Sequence, residues 1–394
     1  MWRECKLGDL LEIKHGFAFL GEHFSNEGSH IVLTPGNFFD NGGFKRKEGK
    51  DKWYRGFIPF EYVLSKGDLV VAMTEQAEGL LGSAAIIPAD DLYLHNQRIG
   101  LVQLKYIDAV DKIFVYYLFN SRPVRHQIRG SASGTKIRHT APSRIADVEV
   151  SLPPLPTQRR IAGILSAYDD LIENSQRRIK ILEKMARRLY CEWFVHFRFP
   201  GHENHPRIAS PLGEIPEGWE VKKLGDVLEL NYGKALKKED RLDGPIPVYG
   251  SSGVVGMHDV SLVKGPGIIV GRKGNVGSVF WCTDDFFVID TAYFVTSALP
   301  LRLLYYVLPT LNFINSDAAV PGLSRNQAYG LELLVPPAEV LAKFCDLADT
   351  IEHQAITLQR QIQNLCRTRD LLLPRLLSGQ IDVDSLPEPV LSKS

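Results

Sequence analysis

The stretch KLGDLLEIKHG occupies Lys6–Gly16, and KLGDVLELNYG occupies Lys223–Gly233. The second copy follows the first at a displacement of 217 residues, from Lys6 to Lys223. A repeat at this spacing marks a duplicated domain, and the 394-residue chain has room for two or three domains with their own cores. A second pair of matching stretches lies downstream. LPPLPTQRRIAGIL begins at Leu152 and VPPAEVLAKFCDLA at Val335, each a Pro-Pro stop followed by a helical pattern.

The helical pattern can be counted. Alternating steps of four and three from Ile161 land on Leu165, Tyr168, Ile172, Ser175, Ile179, Leu182, Ala186, Leu189 and Trp193. Adding 183 to each number gives Phe344, Ala348, Ile351, Ala355, Leu358, Ile362, Leu365, Arg369, Leu372 and Leu376, in which only Arg369 is polar. Three-four spacing held for this length predicts long coiled-coil helices. The first is expected from about Thr157 to about His196, roughly 60 Å at 1.5 Å per residue. The second is expected from about Ala338, ending or kinking before Pro374. The order is therefore domain, helix, domain, helix. Because each helix leaves one domain toward the other, the pair is expected to run antiparallel, with a pseudo-two-fold relation between the copies. The predicted boundaries are 1–152, 153–200, 201–335 and 336–394. The Pro- and Gly-rich PGHENHPRIASPLGEIPEGW, Pro200–Trp219, reads as a linker.

Each globular copy reads as mixed α and β. DLVVAM (Asp68–Met73) and GIIVGR (Gly267–Arg272) are strand-like, and each is followed by a Gly-rich turn. The copies agree in order and differ in their polar loop residues, as two readers of different targets would. In the first copy the candidates are Lys45, Arg46, Thr74, Gln76, Asn96, Gln97, Arg98, Ser133, Thr135, Lys136, Arg138 and His139. In the second they are Ser251, Ser252, Arg272, Lys273, Asn275, Ser324, Arg325 and Asn326. Such residues can hydrogen-bond to base edges, and Arg and Lys can also hold phosphate.

Net charge is zero, with 46 basic and 46 acidic residues, which alone argues against a nucleic-acid binder. The distribution argues the other way. Ile113–Ala146 contains no acid but has Arg122, Arg125, Arg129, Lys136, Arg138 and Arg144. FKRKEGKDKWYR, from Phe44, is a second basic cluster. Five cysteines without a C-x-x-C pair read as free, mostly buried thiols. No apolar run is long enough to span a bilayer, and the charged N-terminus does not read as a signal peptide, so a cytoplasmic protein is expected. There is no P-loop, no H-E-x-x-H, no metal-ligand spacing and no Asn/Asp/Ser-Pro-Pro-aromatic motif: Leu152 and Val335 precede the Pro-Pro pairs, and Leu155 and Ala338 follow them. No catalytic set is expected.

RECKLGDLLEIKHGFAF and GWEVKKLGDVLELNYGKAL open the halves, and LPPLPTQRRIAGILSAYDDLIE and VPPAEVLAKFCDLADTIE open the helices. In this order, duplicated over nearly the whole chain, they resemble the specificity subunits of type I restriction-modification systems. The second copy departs from the pattern at Leu341, where the first has Gln158. The resemblance implies two α/β target recognition domains, each reading half of a split DNA sequence. The helices would space them and bind two modification subunits that carry S-adenosylmethionine and methylate adenine. A motor-nuclease subunit using ATP and Mg could join, and this chain would be non-catalytic, without a cofactor or metal. A two-domain adaptor for protein or glycan, without DNA, is the alternative, and a catalytic methyltransferase is a weaker rival.

Overall fold

Both copies of the repeated stretch fold alike. LGDL (Leu7–Leu10) and LGDV (Leu224–Val227) each form one helical turn, followed by the strands Leu11–His15 and Leu228–Tyr232. The strands share one pattern, with the first and third residues buried and the second exposed, as period-2 alternation requires. The closing glycines are forced by space. A Cβ on Gly16 would lie 2.1 Å from the Asn96 carbonyl oxygen, and one on Gly233 would lie 2.2 Å from that of Ile289.

The computed structural model describes residues 2–75, 79–134, 137–313 and 322–385. Two compact units are present: Met1–Asn174 with Gln361–Ser394, and Ser175–Arg360. In the first unit, Leu11–His15, Ile99–Leu104, Leu69–Ala72 and Ala84–Ile86 form an antiparallel sheet in that order. In the second unit Leu228–Tyr232, Ala292–Ser297, Gly267–Gly271 and Val279–Cys282 repeat it. A two-stranded clasp ties each unit's entry to its exit: Arg3–Lys6 with Glu149–Leu152, and Glu220–Lys223 with Glu332–Val335. The smaller sheets differ. The first unit has five short strands, and the second has three built on Ile246–Gly250.

The long helices span Leu155–Tyr190 and Ala338–Leu377. Their starts differ by the same 183 residues as the seams. All twenty seam positions, from Ile161 to Trp193 and from Phe344 to Leu376, are buried or half-buried. That includes Ile161, Leu165, Tyr168, Ile172, Ile179, Leu182 and Leu189 on the first helix and Phe344, Ile351, Leu358, Ile362, Leu365 and Leu372 on the second. In the first unit Ile161 and Leu165 share a core with Leu372 and Leu376. In the second, Ala186 and Tyr190 share one with Phe344 and Ala348. Opposite ends of the helices thus meet within each unit, which is antiparallel pairing.

Four expectations are corrected. The first helix is α only to Tyr190 and continues as a π turn, Cys191–Val195. That widened turn lets the consecutive Trp193 and Phe194 both reach the core. The second helix does not stop before Pro374. It runs through to Leu377: Leu376 is buried in the first unit's core, and Ser378 N still donates to Pro374 O (3.1 Å). The stretch read as a linker contains the hairpin Arg207–Ser210 with Gly213–Pro216, and its Ile215 and Trp219, with Phe199 just before it, are buried in the second unit's core. Of the five cysteines, Cys282 alone is buried and Cys191 is exposed.

The one polar residue in the second helix's seam has a partner. Arg369 donates to Asp169 Oδ1 (2.5 Å), and Tyr117 Oη donates to Asp169 Oδ2 (2.6 Å). Burial alone would lower the Arg369 pKa, but its hydrogen bonds to the Asp169 and Asp370 carboxylates overcome it and hold it above its usual value. The second unit has a related lock. Arg302, from the helix Leu301–Val307, donates to Asp349 Oδ1 (2.7 Å) and lies 3.7 Å from Glu352, the residue 183 positions after Asp169.

Candidate nucleic-acid interface

In the second unit, three chain segments meet at one end of the four-stranded sheet. Tyr232 ends its strand beside the close-approach glycine. Arg272 and Lys273 leave the central strand Gly267–Gly271, and Leu323–Arg325 start the short helix Arg325–Tyr329. The backbone fixes this meeting: Leu323 N donates to Arg272 O (2.8 Å), and Arg272 N donates to Thr291 O (2.9 Å). Together they line an open cavity of about 410 Å³.

Its electrostatics are those of an anion site. Both guanidinium groups lie over the same phenol ring, Arg325 at 4.4 Å and Arg272 at 4.8 Å from the Tyr232 centroid. Their hydrogen bonds go to neutral carbonyls, Arg272 to Asp290 O (3.1 Å) and Arg325 to Leu230 O (3.3 Å). These hold the side chains in place without cancelling their charge. Lys273 adds a third cation, 3.7 Å from the Asp290 carboxylate. Burial raises the Tyr293 pKa, and its hydroxyl donates to Leu323 O (3.0 Å). Ser324 and Asn326 flank Arg325, with Asn326 exposed. Beside this cavity Asn275 donates to Ser252 Oγ (3.2 Å), while Ser251 is buried and accepts through its carbonyl from Ser278 (2.6 Å).

The first unit builds the same frame from other side chains. Thr140 N donates to Met73 O (2.9 Å) and Met73 N to Arg98 O (3.0 Å), matching the Leu323, Arg272 and Thr291 links. His15, Met73, Thr74 and Gln97 therefore stand where Tyr232, Arg272, Lys273 and Asp290 stand in the second unit. The strand Arg138–His139 pairs with Thr74–Glu75, and Thr74 Oγ1 lies 3.1 Å from His139 Nδ1. Gln97, Arg98, Arg138, His139 and Ser133 are exposed, and Ser133 Oγ accepts from Arg144 (3.0 Å).

Several candidates have structural duties instead. Thr74 and Asn96 are buried, and Asn96 Oδ1 accepts from Arg98 N (3.2 Å), shaping the turn. The acid-free stretch is not one basic surface. It opens with the mostly buried helix Lys112–Phe119, and Arg125 donates to the Leu81 (2.9 Å) and Gly79 carbonyls, with burial pulling its pKa down to about 10. Arg129 faces the buried Glu75 at 3.8 Å. Lys45 and Arg46 sit on another loop, with Lys45 5.6 Å from the Phe39 ring and Arg46 3.5 Å from Asp51. Gln76, Thr135 and Lys136 lie outside the described residues. Sequence reasoning missed Tyr232 and His15. Their signal was available: each directly precedes the close-approach glycine that ends the repeated stretch.

Among the described residues no group of three or more His, Cys, Asp or Glu could hold a metal ion, and no helix is long and apolar enough to cross a membrane. A frame displayed twice, with differing polar loops and a cationic cleft, belongs to the class of recognition proteins. The family profile described as "Type I restriction modification DNA specificity domain" matches residues 1–184 and 216–337. The chain belongs to this family and is a type I restriction-modification DNA specificity subunit. It is 28% identical over 312 residues to the type I restriction enzyme MjaIX specificity subunit of Methanocaldococcus jannaschii, covering 71% of each chain. It is 34% identical over 151 residues to the MjaVIII specificity subunit of the same organism, covering 38% of this chain and 35% of the relative. The crystal structure of a type I restriction-modification S subunit from M. genitalium matches 96% of each chain at a TM-score of 0.58 and 18% identity, a likeness of fold.

Proposed function

We propose that this chain reads a bipartite DNA target, one unit per half-site, and is itself non-catalytic. Its long helices dock two adenine methyltransferase subunits and set the gap between the half-sites. In systems that cleave, a motor-nuclease subunit joins the same assembly. S-adenosylmethionine belongs to the modification partner, and ATP and Mg to the restriction partner. In this reading Arg272, Lys273 and Arg325 engage phosphate or base edges in one half-site, and Gln97, Arg98, Arg138 and His139 do so in the other. One observation carries it: the same backbone frame presents Tyr232, Arg272 and Lys273 in one unit and His15, Met73 and Thr74 in the other. Two copies under selection for one ligand would have no reason to differ there.

The test is duplex binding by the full chain against salt. Each phosphate contact releases counterions, so affinity should fall steeply and log-linearly as salt rises. Binding that ignores salt, or no duplex binding at all, contradicts the reading and favours an adaptor for protein or glycan.

A further inference from the structure

Two of the most exposed apolar side chains in the first unit share one turn. In GFIPFEY (Gly56–Tyr62), Phe57 is 80% exposed and Phe60 is 86% exposed. The turn itself is firmly seated. Ile58 and Tyr62 pack against a buried cluster of Phe19, Val32, Tyr54 and Leu94. The Tyr62 ring lies 5.4 Å from that of Phe17 and 4.8 Å below the Lys14 ammonium, which also donates to Glu61 O (3.2 Å). Rigid support beneath two outward phenyl rings does not fit a loop that merely failed to bury them. Large apolar side chains held outward by a seated turn mark a candidate contact site.

The turn's place in the fold says what it contacts. Tyr62 O accepts from His95 N (2.8 Å), and Val63–Leu64 pairs with Tyr93–Leu94, the strand leading directly into the His95–Arg98 turn. Phe17, under Tyr62, bridges to Asn96 of that same turn. The turn that carries the phenyl pair is therefore tied, through Tyr62 and Phe17, to the Lys14–His15 strand end and to the His95–Arg98 turn, on which His15 and Arg98 are exposed. Cations around an apolar tip suit a polyanion whose interior is aromatic, and duplex DNA is that ligand.

We infer that Phe57 and Phe60 form an apolar wedge that stacks into an opened base step in or beside the half-site read by the first unit. The inference rests on the proposed DNA reading of that unit. A wedge costs local unstacking and regains it by stacking on base faces and by letting bent DNA meet more protein.

The test uses the full chain and duplexes carrying its mapped target, with 2-aminopurine replacing adenine at successive positions. The Phe57→Ala/Phe60→Ala double variant is compared with wild type and with Phe60→Leu, which keeps an apolar tip. Both side chains are exposed, so the melting temperature should not change. The double variant should bind about ten- to a hundredfold more weakly, the range of one or two lost stacking contacts. Its salt slope should equal that of wild type, because no cation is removed, whereas loss of an Arg or Lys on phosphate lowers the slope by about one. Wild type should brighten 2-aminopurine at one step, Phe60→Leu should retain part of that signal, and the double variant should lose it. Wild-type binding with a full salt slope, but with equal affinity in the double variant and no bright step, overturns the wedge and leaves the DNA reading standing. Equal DNA affinity with loss of a co-purifying subunit overturns it in favour of a protein-docking turn. No salt-dependent duplex binding by wild type overturns both.

Discussion

Arg325 tests the cleft most sharply, because its guanidinium is held over Tyr232 and donates to the neutral Leu230 carbonyl. If it reads a base, Arg325→Ala should cost about 1–3 kcal/mol and relax one position of the second half-site. If it holds phosphate, all sequences weaken alike and the salt slope falls by about one. Unchanged binding to every duplex would remove the cleft from the interface. Arg138→Ala is the corresponding test in the first unit. A different residue governs acid stability there. His95 is buried, its Nε2 donates to Ile99 O (2.8 Å), its Nδ1 has no hydrogen-bond partner among the described residues, and burial holds its pKa down to about 4. Unfolded histidine titrates near 6.5, so between these values the unfolded chain binds the extra proton. Stability is then full above about pH 6.5 and falls as pH drops toward 4, by up to about 3 kcal/mol. Urea unfolding of wild type and His95→Gln across this window checks it, and parallel pH dependences would contradict it. The sequence showed the polar character of the HNQR turn (His95–Arg98). It could not show that Asn96 faces inward while Arg98 faces outward, because that depends on the Gly16 backbone pressing against the Asn96 carbonyl from 80 residues away.

The helices were the most legible elements, since a three-four seam is arithmetic on the sequence and needs no tertiary information. What it hid was chemical. Arg369 looked like a defect until Asp169, 200 residues earlier in the chain, was seen to accept its hydrogen bond along with that of Tyr117. Asp169→Ala would leave the half-buried Arg369 with Asp370 alone and would strip the Tyr117 hydroxyl of this acceptor. It should destabilise the protein by about 2–4 kcal/mol, with Asp169→Asn recovering part of the loss. Thermal melts check this, and an unchanged midpoint would show that the lock contributes nothing. Pro374 misled in the opposite direction, because a proline rule for helix interiors was applied to a last turn anchored by buried Leu376. The seam also yields a length prediction. Seven residues inserted into both helices preserve the heptad and add about 10 Å at 1.5 Å per residue. At roughly 3.4 Å per base pair, the gap in the target should grow by about three base pairs, with DNA twist opposing the change. Two residues inserted into one helix should instead break the seam and abolish assembly. An active seven-residue insertion mutant with an unchanged gap would assign the spacing to the partner subunits.

For the molecule as a whole, the duplication was legible because its carriers are buried or sterically compelled: Leu7 and Leu224, Leu11 and Leu228, Gly16 and Gly233. The reading surfaces were only half legible, since exposed polar residues obey no periodicity, and residues such as Arg125 and Thr74 can serve the fold as easily as a ligand. The division into two units also cuts each long helix, at Asn174 and Arg360, a boundary that no composition change announces. The central claim is that each unit reads its own half-site on a shared frame. Mapping methylated adenines in cells that express the chain with its genomic neighbours tests it most directly, for wild type and for a chimera whose residues 218–335 come from a relative. The account predicts a split motif in which the chimera changes one half and keeps the other half and the gap. A continuous motif, or a chimera that alters both halves together, would contradict it.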